Sequence, residues 1–145
     1  MSFHTYIQWN KQIKEDGEFS RDHTITYGSG QKVSASSAPE YKGSDSFVNP
    51  EESLLAALSS CHMLTFLAIA HLKRLPVESY EDNASATLGK LDTGKLAVTE
   101  MTLSPKIKFV EGVEMDEETI KKIHDKAHIN CFIANSINTK VTIKP

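Results

Sequence analysis

The spacing of apolar residues changes period several times along this chain, and each change marks an element. His4 to Ile13 alternates in part, with Ile7 and Trp9 opposite Tyr6, Gln8 and Asn10, which predicts a first strand. Asp16-Gly17-Glu18 supplies a turn, as for a hairpin. Two short strands are expected over Phe19 to Tyr27 and Gln31 to Ser36, separated by Gly28-Ser29-Gly30. Ser34 to Asn49 reads as a loop leading into a helix. That helix has the clearest start in the chain, with Asn49 as cap, Pro50 at the first helical position and Glu52 three residues after the cap. Leu54, Leu58, Cys61, Thr65, Ala68 and Leu72 then recur every three or four residues. Leu55, Met63, Phe66, Leu67 and Ile69 make its other sides apolar too, so burial over most of the circumference is expected. Lys73 and Arg74 suit the negative end of its dipole, and Pro76 follows.

Period-two patterning returns after Val77, predicting strands over Glu78 to Leu88 and Leu96 to Phe109, joined at Asp92-Thr93-Gly94. A second helix is expected from about Met115 to Ile129, with Asp116 as cap and a stripe of Ile120, Ile123 and Ala127. Lys140 to Ile143 closes the chain as a strand. The order β-β-β-α-β-β-α-β is that of an α+β domain, and 145 residues fit one domain, 1–145, better than two.

Composition removes several function classes. With 39% hydrophobic and 24% charged residues, the chain resembles an ordinary soluble protein. A formal charge of −3 and no Lys/Arg stripe interleaved with aromatics argue against a nucleic-acid binder. The apolar stretch Leu54 to Leu72 contains Cys61, His62, Thr65 and His71, and reads as a core helix and not as a membrane span. Met1 to Lys14 is polar, unlike a signal peptide, so a reducing cytoplasmic location is expected, where a permanent structural disulfide is unfavourable. Two cysteines without Cys-x-x-Cys spacing make a poor zinc set, and no glycine pattern suggests a nucleotide cofactor; neither metal nor cofactor is expected.

Cys61 and Cys131 are the only cysteines, and each lies in an apolar run with polar neighbours. A cysteine reacts as thiolate, which requires positive charge or hydrogen-bond donors near the sulfur. Cys61 is three turns into its helix, too deep for the dipole alone, and His62 diverges from it by about 100°. The groups that could serve Cys61 from elsewhere are Arg21, His124 and His128. Glu51 is ten residues from Cys61, roughly 15 Å of helical rise, so it cannot touch the Cys61 of its own helix. If both serve one site, that site is shared between two chains whose helices cross antiparallel. The bland alternatives are inert core thiols, a surface Arg21, and Glu51 and Glu52 as acidic groups at a helix start. His124, His128 and Cys131 share a helical face, but Asn130 in place of a further strong ligand weakens a metal reading.

The run Asn49-Pro-Glu-Glu-Ser-Leu-Leu-Ala-Ala-Leu-Ser-Ser-Cys61-His-Met, followed by Ala127-His-Ile-Asn-Cys131-Phe-Ile-Ala-Asn-Ser136, resembles the OsmC/Ohr family of osmotically inducible and organic-hydroperoxide-resistance proteins. Ser20-Arg-Asp-His23 and Ala35-Ser-Ser-Ala-Pro39 fit the same pattern. The resemblance implies an intertwined homodimer with shared active sites, two central helices packed on β-sheets, and thiol-dependent reduction of organic hydroperoxides in oxidative-stress defence. It makes Cys61 the peroxidatic and Cys131 the resolving cysteine, joined in a redox-active disulfide that a small dithiol or dithiol protein reduces. It makes Glu51 the carboxylate that orients an arginine, and Arg21 the best match for the arginine that contacts the thiolate. Arg21 lies in Phe-Ser-Arg-Asp-His instead of the glycine-rich setting of the Ohr branch, and the Cys-His-Met and Ala-His-x-x-Cys-Phe variants point to a separate OsmC-like branch. The competing readings are a binding protein that uses the same fold for a hydrophobic small molecule, and a hydrolase pairing Cys61 with a histidine.

Overall fold

The computed structural model describes residues 1–145 as two compact units, Met1–Ser53 and Leu54–Pro145. In the first unit β1 (Thr5–Gln8), β2 (His23–Tyr27) and β3 (Lys32–Ala35) form an antiparallel sheet in that order. Tyr27 and Gly30 close the β2–β3 turn, with Gly30 at φ 87°, a conformation that favours glycine. Between β1 and β2, Trp9 donates its indole N–H to the Ser20 carbonyl at 2.7 Å and meets the Phe19 ring edge-on. Asp22 then ties two strand-flanking loops together, accepting from the hydroxyls of Ser36 at 2.8 Å and Ser44 at 2.7 Å.

The unit ends in the first turn of α1 (Pro50–Leu72), which begins as its sequence predicts. The Glu52 N–H donates to Asn49 Oδ1 at 2.8 Å, and the Asn49 N–H donates back to Glu52 Oε2 at 3.1 Å. This reciprocal capping satisfies two otherwise orphan donors. Asn49→Ala should therefore cost about 1 kcal/mol, read as a lowered urea midpoint with unchanged slope.

The second unit contains the remainder of α1, five strands and α2 (Glu117–Asn130), the last capped by Asp116, whose carboxylate accepts from Thr119 N–H at 2.6 Å. β4 (Val77–Asp82) pairs antiparallel with β7 (Pro105–Phe109). β5 (Ser85–Lys90) pairs antiparallel with β6 (Leu96–Leu103), and β6 pairs in parallel with β8 (Lys140–Ile143). The two long strands expected from the sequence are thus each divided in two, giving β-β-β-α-β-β-β-β-α-β. The division has a physical cause. Each chain segment leaves one sheet and enters the other, and at the crossing the Ser104 N–H donates to the Asp82 carboxylate at 2.7 Å instead of to a ladder carbonyl. Ser59 of α1 donates its hydroxyl to the same carboxylate.

Leu58, His62, Phe66 and Ala70 form the buried line of α1, one residue per turn. Leu58 packs with Met101, Leu103 and Cys131, while Phe66 and Ala70 pack with Ile123 and Ala127 of α2. Around that line α1 is half-buried over most of its circumference, with Leu54, Leu55, Leu67 and Ile69 packed against the same clusters, and its exposed line runs through Ala56, Ser60, Leu64 and Ala68, Leu64 being 61% exposed. By length and composition alone α1 is also long and apolar enough to cross a membrane.

Candidate active site

The two cysteines, seventy residues apart in sequence, meet in one core cluster. Cys131 lies at the C-terminal boundary of α2, where the helix gives way to an extended residue and the chain turns into a short 3-10 segment at Ala134–Ser136. That turn lays its backbone N–H groups over the sulfurs. The Ala134 N–H reaches Cys131 Sγ at 3.4 Å, and the Ile133 and Phe132 N–H groups serve Cys61. Both cysteines are free thiols packed in that cluster, and each shifts the proton affinity of the other.

Their proton affinities diverge. Burial opposes ionisation of Cys61, yet the Ile133 N–H, the Cys131 thiol, the Phe132 N–H and the Thr65 hydroxyl together bring it below the ordinary thiol range. The one Thr65 hydroxyl proton is shared between that sulfur and the Cys61 carbonyl, 2.8 Å away and one turn back on α1. Cys131 moves the other way: burial pushes it up, and its role as donor to Cys61 adds to the rise. The pair is polarised, with Cys61 ionising first and Cys131 holding its proton. Replacing Cys131 with alanine removes a donor, so Cys61 in Cys131→Ala should ionise at higher pH than in wild type, measured by thiolate absorbance or alkylation rate against pH.

Arg21 and Glu51 both belong to the first unit. Arg21 donates from Nη1 to Glu18 at 3.1 Å and to the Phe19 carbonyl at 2.7 Å, with its guanidinium carbon 3.8 Å from the Phe19 ring centroid. Within the chain its carboxylate partner is Glu18, not Glu51. Lys42 and then Arg21, both hydrogen-bonded to Glu18, hold that carboxyl below its usual range. Arg21 borders an apolar hollow of about 420 Å³ with Ile7, Trp9, Phe19 and Pro50. Glu51 is half-buried and forms no ion pair in the chain.

A buried polar cluster that the sequence shows only in part joins α1 to α2. His62 Nε2 and His124 Nδ1 are 2.9 Å apart, and both rings are about 1% exposed. His124 and His128 do share a face of α2, as their spacing predicts, but the group facing them is His62 of α1. No set of His, Cys, Asp or Glu side chains has the arrangement of a metal site. Burial first, then repulsion from His124 and His128, lowers His62 to about 4 against the opposing pull of Asp82. Burial likewise lowers His124. A buried neutral histidine refuses a proton that the unfolded chain accepts. The folded protein should therefore lose stability as pH falls from 6.5 toward 4, with His62 contributing on the order of 2–3 kcal/mol. Urea unfolding across that range checks it: the loss of stability toward pH 4 should be smaller with His62 and His124 replaced together than in wild type, and an unchanged slope would contradict it.

The family model for OsmC-like protein matches residues 43–145. The chain belongs to the OsmC-like family. An OsmC-like protein of unknown function from Vibrio cholerae is 40% identical, covers 99% of this chain and 98% of its own, and superposes with a TM-score of 0.93. The fold is shared with an organic hydroperoxide resistance protein from Elizabethkingia anophelis, at 16% identity, 99% and 94% coverage and a TM-score of 0.77. It is shared also with the organic hydroperoxide resistance protein OhrB of Bacillus subtilis, at 17% identity, 99% and 97% coverage and a TM-score of 0.72. No curated protein matches by sequence. The family assignment and the α+β fold of the OsmC/Ohr proteins agree with the sequence resemblance.

Proposed function

We propose that this protein is a thiol-dependent reductase of organic hydroperoxides, acting as a homodimer with shared sites. The observation that carries the reading is the polarised pair: a Cys61 sulfur packed in one cluster with a second thiol, with its own proton affinity lowered and its partner's raised. Family membership supports it, since relatives of the same fold are named for organic hydroperoxide resistance.

The Cys61 thiolate attacks the distal oxygen of the hydroperoxide; the O–O bond breaks, the sulfur becomes a sulfenic acid, and the alkoxide takes a proton and leaves as alcohol. Cys131 attacks the oxidised sulfur, its proton leaving with the hydroxyl as water, and an intramolecular disulfide forms. A dithiol, small or protein-borne, returns the pair to thiols. The apolar packing around the pair, with Leu54, Leu55 and Leu58, favours an alkyl or aryl peroxide over a more polar one.

Glu51 enters through the partner. Ten residues of helix hold it roughly 15 Å along the axis from its own Cys61, and α1 leaves apolar side chains such as Leu64 uncovered. Two such helices crossing antiparallel would cover that surface and bring Glu51 of one chain to Cys61 of the other, with Arg21 as the cation it orients. Consumption of cumene hydroperoxide with excess dithiol, faster than without protein, is the direct test. Turnover no greater than the uncatalysed rate would reject the reading.

A further inference from the structure

An open cleft of about 590 Å³ lies between α2, β7 and the end of β8. Its sides follow from two periodicities. Ile120 and His124 stand one turn apart on α2, and Pro105 and Ile107 share one face of β7 by alternation. Ile143 of β8 completes the apolar lining. The charged side chains at the rim balance, Lys106 and Lys121 against Glu117 and Asp125, and Lys121 is paired with Asp125 at 2.9 Å. A concave, mostly apolar site of this size with few polar groups has the form of a small-molecule pocket.

One polar atom of the lining is unspent. His124 is 1% exposed, and its Nε2 is buried without a hydrogen-bond partner. Such atoms are uncommon in native interiors. The bond at the other nitrogen fixes where Nε2 points. His124 Nδ1 meets His62 Nε2 at 2.9 Å, with the ring planes inclined by 7° and the centroids 5.3 Å apart. That separation leaves about one ring radius on each side of the N···N line, so the rings lie edge to edge along it. In an imidazole the second nitrogen points about 140° away from the first, so Nε2 faces away from His62 and α1. No α1 residue borders the cleft, and the Phe66 ring covers a face of His124 at 4.5 Å between centroids. The edge that carries Nε2 is therefore the one turned to the cleft. Tyr80, whose hydroxyl is also unpartnered, packs on the same Phe66 but does not bond His124.

The state of His124 selects the ligand. Burial lowers its proton affinity, which favours the neutral ring with a single N–H. The bond to His62 holds one proton, so Nε2 donates if Nδ1 accepts, and accepts if Nδ1 donates. A hydroxyl both gives and accepts, and so meets either form. The balanced rim offers no preference for charge, and an ion would lose hydration against the isoleucines without a dedicated partner.

We propose that this cleft binds a small uncharged alcohol or phenol, its hydroxyl bonded to His124 Nε2 and its hydrocarbon body laid on Pro105, Ile107, Ile120 and Ile143. The site stands whether or not the protein turns over peroxide, because neither thiol borders it.

The whole chain, labelled with ¹⁵N-histidine and ¹³C-methyl isoleucine, is titrated with benzyl alcohol, toluene and benzoate near neutral pH. Benzyl alcohol should move His124 Nε2 and the Ile107, Ile120 and Ile143 methyls along one saturable curve, with half-saturation below about 10 mM. Toluene, compared at equal concentration within its solubility, should fill the cleft at least about fivefold less, because it leaves Nε2 unpaired. Benzoate should fall short by a similar factor. Ile120→Trp, which fills the cleft and leaves His124 in place, should abolish the shifts. An Nε2 signal that the alcohol does not move, the nitrogen being satisfied by water alone, would overturn the site. Equal filling by toluene or benzoate, or shifts that survive Ile120→Trp, would overturn it as well. Should that variant not fold, the comparison of the three ligands on wild type decides alone.

Discussion

Cys61→Ser should reduce hydroperoxide consumption to the rate of dithiol and peroxide without protein. A serine hydroxyl is not ionised near neutral pH and cannot be oxidised in place of sulfur, so neither the attacking anion nor the sulfenic acid exists. Cys131→Ser should behave differently. Cys61 keeps the Ile133 and Phe132 N–H donors and a hydroxyl in place of the thiol, and so still reacts with the first equivalent of peroxide. It then stalls one oxygen heavier, because no second sulfur lies within reach to expel water. Intact-protein mass spectrometry with stopped-flow peroxide loss separates the two outcomes. A binding protein with incidental cysteines would show neither, and a hydrolase using Cys61 with a histidine would not depend on Cys131 at all.

The second large effect tests the proposed sharing of sites between two chains. Glu51→Ala and Cys61→Ser, each inactive or nearly so as a homodimer, should recover activity when the two chains are unfolded, mixed and refolded together. In the mixed dimer one site combines Cys61 from the first variant with Glu51 from the second and is intact. The other site carries both defects. Random assortment makes half of the dimers mixed, so about a quarter of all sites should work. If Glu51 served the Cys61 of its own chain, no mixture would contain an intact site, and activity would stay at the level of the separate variants. The helical rise between the two residues is what makes the first result the expected one.

Much of the frame was legible from local chemistry. Both helix starts depend on side chains bonding to backbone three residues away, and the Asn49–Glu52 and Asp116–Thr119 bonds follow from spacing alone. Both cysteines were visible as thiols in apolar runs. What escaped was non-local. The division of two strands at Asp82 and Ser104 depends on which sheet each half joins, and alternation is blind to that. Thr65 stands four residues after Cys61 and its place was readable, yet its use was not, because a hydroxyl there has a carbonyl to satisfy as well. The N–H groups of Phe132 to Ala134 act through backbone conformation, which leaves no residue-type signature. His124 and His128 announced a face of α2, but the facing His62 is 62 residues distant, and only the fold brings it there. Arg21 was legible as a candidate and Glu18 was not. Three residues earlier on a loop, Glu18 looked like part of a turn.

Polarisation of the two thiols has a direct chemical signature. Reduced protein, freed of dithiol, is treated with one equivalent of cumene hydroperoxide and then alkylated, digested and mapped. The account predicts stoichiometric loss of both thiols and a single intramolecular Cys61–Cys131 link, with one cumyl alcohol released per chain. Peroxide left unconsumed with both thiols free, or consumed without that link, would contradict it.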